Sequence, residues 1–346
     1  RGPRAPPAVH AMRPALRTHA RTLCPMDRFR LILIALAVCL LAGTGGAADR
    51  AVSATDVPRV TNPAEPAAGV RTLELVPLWR IDVQDEAQLI GVISAAVAGP
   101  DSTVWLADKQ LGCVHVYGAD GTYVRTISRQ GEGPGEVNWP DGLCWLPGGG
   151  LGINDRKFGQ VTVLHPDGTP GRSLHLRDRQ GAAMSTAHVS GVQSRGGTVA
   201  ICGTIFDYGD GAPRHDRFLS VFAEDGLEIA RLMSAPGGFD YEARTYDEFA
   251  DYFVDQKRWT VDSRGLVYHA PFYDRYLIEV HDSRGRPVRV IERDFEPYRR
   301  TAEDKQQVRD RTSMWIDGDR VELDCDLQDH APAIDTIACG PDGRNW

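Results

Sequence analysis

The sequence predicts an all-β fold in which a small four-stranded antiparallel sheet recurs along the chain. Three observations carry that reading. First, four segments alternate β-branched or other apolar residues with their neighbours and then reach a glycine at a fixed offset. These are Val114-His115-Val116-Tyr117 before Gly121, Val161-Thr162-Val163-Leu164 before Gly168, Leu219-Ser220-Val221-Phe222 before Gly226, and Ile278-Glu279-Val280-His281 before Gly285. Period-two alternation ending in a glycine turn marks a strand running into a tight hairpin. Second, another glycine-containing turn precedes each segment, around Gly99, Gly148-Gly149-Gly150, Gly196-Gly197 and Gly265. Third, residues 93–105 (ISAAVAGPDSTVW) and 334–346 (IDTIACGPDGRNW) share Ile, Gly-Pro-Asp and Trp at equal offsets.

The hairpin glycines are separated by 47, 58 and 59 residues. A further short strand is expected after each, over residues 123–127, 172–176, 228–233 and 288–292. The period and the four strands per unit match β-propeller blades. About four complete blades are expected, with a fifth begun at Ile334. Because each blade packs between two others, the natural chain is expected to continue past Trp346. Short helical insertions account for the longer intervals. One begins at Thr245 (TYDEFADYFVDQK), with Phe249, Tyr252 and Phe253 at helical spacing and packed on the blades. The other begins at Thr301 (TAEDKQQVRDR). Each has a Thr followed three residues later by an acid, the pattern of a capped helix start.

The first part of the chain reads differently. Residues 1–25 form a basic leader or upstream sequence, with five Arg and no acid. Met26 then opens a secretory signal over residues 26–48: Arg28 and Arg30, the apolar run LILIALAVCLLA, and small residues at Gly46-Ala47-Ala48. The run is short for a bilayer span, which needs about 20 residues. Export to the periplasm or medium is expected, with no transmembrane anchor after cleavage. Thr44 stands where a lipoprotein would carry its lipidated cysteine. Residues 49–71 read as a linker and 72–346 as an incomplete propeller domain.

Beyond residue 48 there are 32 basic and 46 acidic residues, a net charge of −14. Such a domain repels phosphate backbones, so nucleic acid is not an expected partner. Five cysteines remain, Cys113, Cys144, Cys202, Cys325 and Cys339, without a CxxC pair. They read as buried small apolar residues, with a Cys325–Cys339 bridge as the alternative.

Gly131-Glu132-Gly133-Pro134-Gly135-Glu136, followed by Trp139-Pro140-Asp141-Gly142-Leu143, resembles the blade-to-blade connection of NHL-repeat propellers. Trp105-Leu106-Ala107-Asp108 leading into Val114-His115-Val116-Tyr117 resembles it too. Residues 267–298 are similar to bacterial exported six-bladed propellers of this class. The resemblance spans residues 73–346 and implies six blades, with residues 73–83 as a ring-closing strand. It implies little about activity.

The GEGPGE run lacks the Lys-Ser/Thr of a phosphate loop and reads as a plain connection. Asp324–Asp326 with Asp329 read as a solvated acidic loop, as does the stretch from Asp207 to Gly211. The histidines show no HxxxH or HExxH spacing, and His115 and His281 are expected to be half-exposed. First strands of propeller blades line the central channel. The repeat therefore places Ser94, Asp141, His188, Lys257, Arg258 and Asp335 near its mouth, with Asp141, His188, Lys257, Arg258 and Asp335 as candidate ligand-binding residues. No motif demands a cofactor; calcium or zinc at the channel is the cofactor this arrangement allows. The favoured function is a binding module for a protein, peptide or glycan. The alternative is a metal-dependent propeller enzyme, lactonase- or lyase-like. For the first, the Glu of the lactonase pattern is missing from residues 91–105. For the second, His188, Arg258 and Tyr273 are the candidates.

Overall fold

The computed structural model describes residues 57–65, 69, 72, 74, 76–81, 89–209, 214–240, 242–252, 258–312, 314–316 and 319–340. They belong to the compact unit of residues 52–346. The leader and signal, residues 1–48, lie outside the described residues.

Among the described residues four antiparallel four-stranded blades follow one another as the repeat predicts, the last of them extended by a fifth strand, and the fold is all-β with the topology of propeller blades. The first blade is formed by Ile93–Ala98, Val104–Asp108, Cys113–Tyr117 and Tyr123–Ile127. The second takes Gly142–Trp145, Leu151–Asn154, Gln160–Leu164 and the short Leu174–His175. The third is larger: Ala187–Arg195, Thr198–Asp207, Arg214–Phe222 and Glu228–Pro236. The fourth consists of Trp259–Val261, Val267–His269, Leu277–His281 and Pro287–Arg293.

The fixed glycine offset has a direct physical cause. Gly121, Gly168, Gly226 and Gly285 all adopt φ between 75° and 89°, a left-handed conformation that side chains resist. Each donates its N–H to the carbonyl three residues earlier, at 2.8–3.0 Å. Register slips follow at Val116/Tyr117, Val221/Phe222 and Val280/His281, the mark of a turn closed by a glycine bulge.

Cores form between blades rather than within them. Val114, Val116 and Ile127 of the first blade pack with Leu151, Ile153 and Leu164 of the second. Val161 and Leu174 of the second meet Val189, Val199, Ile201 and Phe218 of the third. Ala200, Leu219 and Val221 of the third meet Trp259, Val261 and Val267 of the fourth. On the far side of the fourth blade, Tyr268, Ala270, Ile278 and Val280 are covered by Ile334 and Ile337. The segment that repeats residues 93–98 thus begins where a next blade would lie.

Middle strands are therefore covered on both faces, and this corrects the expectation for two histidines. His115 is 4% and His281 6% exposed, not half-exposed. His115 is held by Thr126 Oγ1 at 2.8 Å and Asp108 Oδ2 at 3.4 Å. Asp108 also accepts backbone N–H groups from Gly91, Val92, Gln110 and Leu111 at 2.6–3.2 Å, tying the chain that leads into the blade to its second strand.

Four further differences concern the ends, the insertions and an expected loop. A strand at Arg59–Asn62, within the expected linker, pairs in parallel with Pro287–Arg293 on the outer edge of the fourth blade. The segment expected to close the ring, residues 73–83, has no strand among its described residues; Trp79 instead donates to the carbonyl of Ala119 at 3.0 Å and covers Tyr117. Free backbone groups at the blade edge, with Val57 buried beside Leu277 and Val290, explain why the earlier segment takes the strand position. Thr245–Asp247 is a strand, and the helix beyond it, Glu248–Asp251, is a single turn capped by Asp247, not by Thr245. Asp324–Asp326 pairs in parallel with that strand, so the expected acidic loop is a strand of a three-stranded sheet with Phe239–Asp240. The second insertion is as read: helix Ala302–Arg311, with Thr301 and Asp304 forming a reciprocal capping box.

Among the described residues no helix is long and apolar enough to cross a membrane. Cys113, Cys144, Cys202 and Cys339 are buried and Cys325 half-buried, and the alternative Cys325–Cys339 bridge is not formed. Burial pushes the Cys113 thiol up to about 11 and Cys144 to about 12, which keeps both protonated and inert.

Candidate functional site

The first strands of consecutive blades neighbour one another, and their leading ends share one end of the fold with the loops joining second to third strands. The sequence-predicted residues separate there into two pairs. Asp141, exposed just before Gly142, acts electrostatically on His188, which begins the first strand of the third blade. Burial lowers the His188 pKa; the Asp141 charge opposes that shift and Arg156 reinforces it. The second pair is Arg258 and Asp335, at 3.8 Å. Lys257 lies outside the described residues. Ser94 is occupied structurally, donating to the carbonyls of Pro140 and Ala107.

Around His188 the structure assembles an aromatic row that the sequence reading missed. Phe158 packs edge-on to His188 at 5.8 Å and to Phe206 at 6.2 Å. Phe206 in turn stacks with Tyr208 at 6.1 Å and meets His215 at 6.3 Å. Phe158 is 49% and Tyr208 68% exposed, so large rings stand in solvent beside a partly buried imidazole. Alongside, Trp139 lies between the Arg156 guanidinium at 4.3 Å and the Lys109 ammonium at 5.7 Å. Arg156 thus links the indole to His188. The missed signal is positional: Phe158 and Tyr208 sit in corresponding loops, each shortly after the aspartate that follows or ends the second strand.

Arg258 belongs to a different neighbourhood. Its guanidinium donates to the carbonyls of Ile334 and Tyr252, both at 3.0 Å, and lies 4.2 Å over the Tyr252 ring. Tyr252 and Phe249 both pack on Tyr273, at 5.1 and 5.6 Å. The Tyr273 hydroxyl donates to the carbonyl of His330 at 2.7 Å. Burial and the Glu248 charge push its pKa well above the ordinary tyrosine range. Arg258 and Tyr273 accordingly pin the insertion and residue 334 to the fourth blade, while Asp335 remains open to solvent.

One group of metal-ligating side chains lies elsewhere. Glu279 and His281 alternate along the third strand of the fourth blade, and His269 pairs directly opposite Glu279 on the second strand. Period two places Glu279 and His281 on one face, and opposed residues share it. Glu279 Oε2 lies 3.6 Å from His269 Nε2 and 3.8 Å from His281 Nε2. One ligand atom from each residue falls within 4.8 Å of the others. The two rings stack at 5.0 Å. Burial lowers the His269 pKa to about 3 and His281 to about 4, and raises that of Glu279, which Arg59 partly offsets. His269 Nδ1 and Nε2 and His281 Nδ1 are buried without a hydrogen-bond partner. This is where the described residues gather a His/Glu set, away from the first strands at which calcium or zinc was allowed.

The GEGPGE connection is closed on itself: Glu136 accepts from the Gly133 N–H at 2.8 Å and pairs with Arg129 at 2.6 Å. The parallel pairing of Asp247 with Asp326 brings carboxylates around an open hollow of about 380 Å³.

No family model matches the chain, and no curated protein matches it. Solved structures do. One is a protein of Bacteroides fragilis described as exported, at 13% identity and TM-score 0.45, covering 73% of this chain and 65% of that one. Another is a streptogramin B lyase, at 11% identity and TM-score 0.35, covering 73% and 61%. A third is a catalytically inactive virginiamycin B lyase of Staphylococcus aureus with quinupristin, at 10% identity and TM-score 0.33, covering 56% and 53%. The chain spans less than two thirds of the length of each.

Proposed function

We propose that this chain builds blades of an exported six-bladed propeller, of the NHL-repeat-like kind, that works as a binding module for a peptide, protein or glycan. The observation that carries the reading is the aromatic row His188–Phe158–Phe206–Tyr208, flanked by Trp139, Arg156 and Asp141. Exposed rings beside fixed charges suit a ligand with flat apolar faces and polar edges, such as a pyranose or an aromatic-containing peptide. Arg156 and Asp141 would then orient it. The acidic net charge argues against a nucleic acid. Export rests on the n-region, apolar run and small-residue site of residues 26–48.

The test is an array of glycans and peptides probed with the full exported protein, followed by calorimetry on each hit. Phe158→Ala and Tyr208→Ala are expected to weaken binding at least about tenfold, as truncation of central aromatic anchors does. Asp335→Asn, on the separate pair, should leave affinity unchanged. Hits that bind both alanine variants as tightly as the parent would overturn the assignment of the row. Mass spectrometry of the protein recovered from the periplasm or medium should find a new amino terminus near Ala48; an intact residue 26 there would refute cleavage.

A further inference from the structure

We infer that His269, Glu279 and His281 form a zinc-type metal site on the flank of the fourth blade, separate from the aromatic row. Three independent features converge on it. The topology builds the set: one E-x-H pair on a single strand and one histidine paired across from its glutamate. The distances are close to what a bound ion needs, since Glu279 Oε2 is 3.6 and 3.8 Å from the two Nε2 atoms. Ligands about 2.0–2.1 Å from one ion lie roughly 3.3 Å apart at tetrahedral angles, so small side-chain movements close the site. Finally, the protein leaves ring nitrogens unsatisfied: His269 is 2% exposed, and neither of its ring nitrogens, nor Nδ1 of His281, has a hydrogen-bond partner. Buried polar atoms in folded proteins nearly always find a partner, and an orphaned imidazole beside a carboxylate wants a cation.

The donor set chooses among cations. Two imidazoles and one carboxylate suit zinc and its first-row neighbours. Calcium takes six to eight oxygens and finds only one carboxylate here. Three protein ligands leave one position of a tetrahedron for water or a small solute. The ion would reach the site along the side of Glu279, whose side chain is 24% exposed.

The position suggests a structural clip. His269 shares the row Trp259–His269–Glu279–Val290 across the blade, and Trp259 packs on the third blade. An ion here would join the second and third strands on that same face. The N-terminal strand completes the row, because Arg59 pairs with Val290.

The experiment uses the full chain, stripped with a chelator and titrated with zinc against a chromophoric competitor, with cobalt as a spectroscopic substitute. One equivalent of zinc, a rise in Tm on loading, and visible cobalt bands of a four-coordinate site are expected. Glu279→Gln keeps the shape of the side chain and should fold, yet weaken zinc binding at least about tenfold. His281→Ala should do the same and abolish the cobalt bands. Failure of the stripped parent protein to take up zinc, or equal affinity in the Glu279→Gln variant, would overturn the site.

Discussion

Arg300 grips Glu248 through two parallel hydrogen bonds, Nη1 to Oε2 and Nη2 to Oε1, each 2.7 Å long. Both side chains are largely buried, and Glu248 also accepts the backbone N–H of Gln328 at 2.9 Å. A single carboxylate therefore joins the one-turn helix Glu248–Asp251, the segment leading into helix Ala302–Arg311, and the chain beyond Asp326. Removing one partner of such a pair strands the other charge, which costs about 3–5 kcal/mol. Glu248→Gln should lower the urea midpoint accordingly, whereas Glu248→Met with Arg300→Met should recover most of the loss. The Glu248 charge also raises the Tyr273 pKa. In Glu248→Gln, spectrophotometric titration should find that tyrosine ionising at lower pH; an unchanged titration would mean the charge does not reach it.

Gly203 sits where three strands of the third blade leave no room. A methyl group there would lie 2.2 Å from the carbonyl oxygen of His188 and 3.0 Å from the Phe218 ring. Neither can yield freely, because Phe218 is fully buried and the His188 backbone belongs to the first strand. Gly203→Ala should destabilise the protein by about 1–3 kcal/mol by overpacking. It should also weaken any ligand of the aromatic row, since His188 must shift. Gly149→Ala is the control: its φ of 80° makes a side chain strained by about 1–2 kcal/mol, but nothing lies within 4 Å. Equal affinities for the two variants would sever His188 from the binding face.

The blades were legible because their signal is local. Each hairpin glycine, with its Val five residues earlier, is required by one left-handed turn and one two-residue period. The burial of His281 was not, because it depends on a neighbouring blade that covers the second face of its sheet. The same limit hid the candidate metal group. Glu279-Val280-His281 is a strand counterpart of the helical HxxxH spacing, but it means nothing until the register brings His269 opposite. The repeat puts Asp141 and His188 at the starts of neighbouring blades, and the Asp141 charge reaches His188. Phe158, Phe206 and Tyr208 were missed, since the loop positions of Phe158 and Tyr208 correspond only once the second strands are assigned. The helix expected from Thr245 begins only at Glu248 because Thr245–Asp247 found a parallel partner in Asp324–Asp326; residues 253–257 of that expected helix, Phe253 among them, lie outside the described residues.

His188 and His215 make stability fall on acidification. Burial lowers both pKa values from the ordinary 6.5; Arg156 adds to this at His188 and Arg217 at His215, while Asp141 and Asp216 oppose it. In the unfolded chain each imidazole takes up a proton near pH 6.5, whereas in the folded chain each does so only at lower pH. The unfolded state therefore binds more protons in that window, and stability is complete above pH 6.5 and lost as the pH falls below it. Each histidine contributes a slope of less than about 1.4 kcal/mol per pH unit. Denaturant melts at pH 7.5, 6.5, 5.5 and 5.0 on the parent and on His188→Gln/His215→Gln isolate this pair from the other buried histidines. The parent should lose stability more steeply than the double variant below pH 6.5. Parallel curves would show that neither imidazole is held neutral by its surroundings, and that Arg156 and Arg217 face solvent-screened partners.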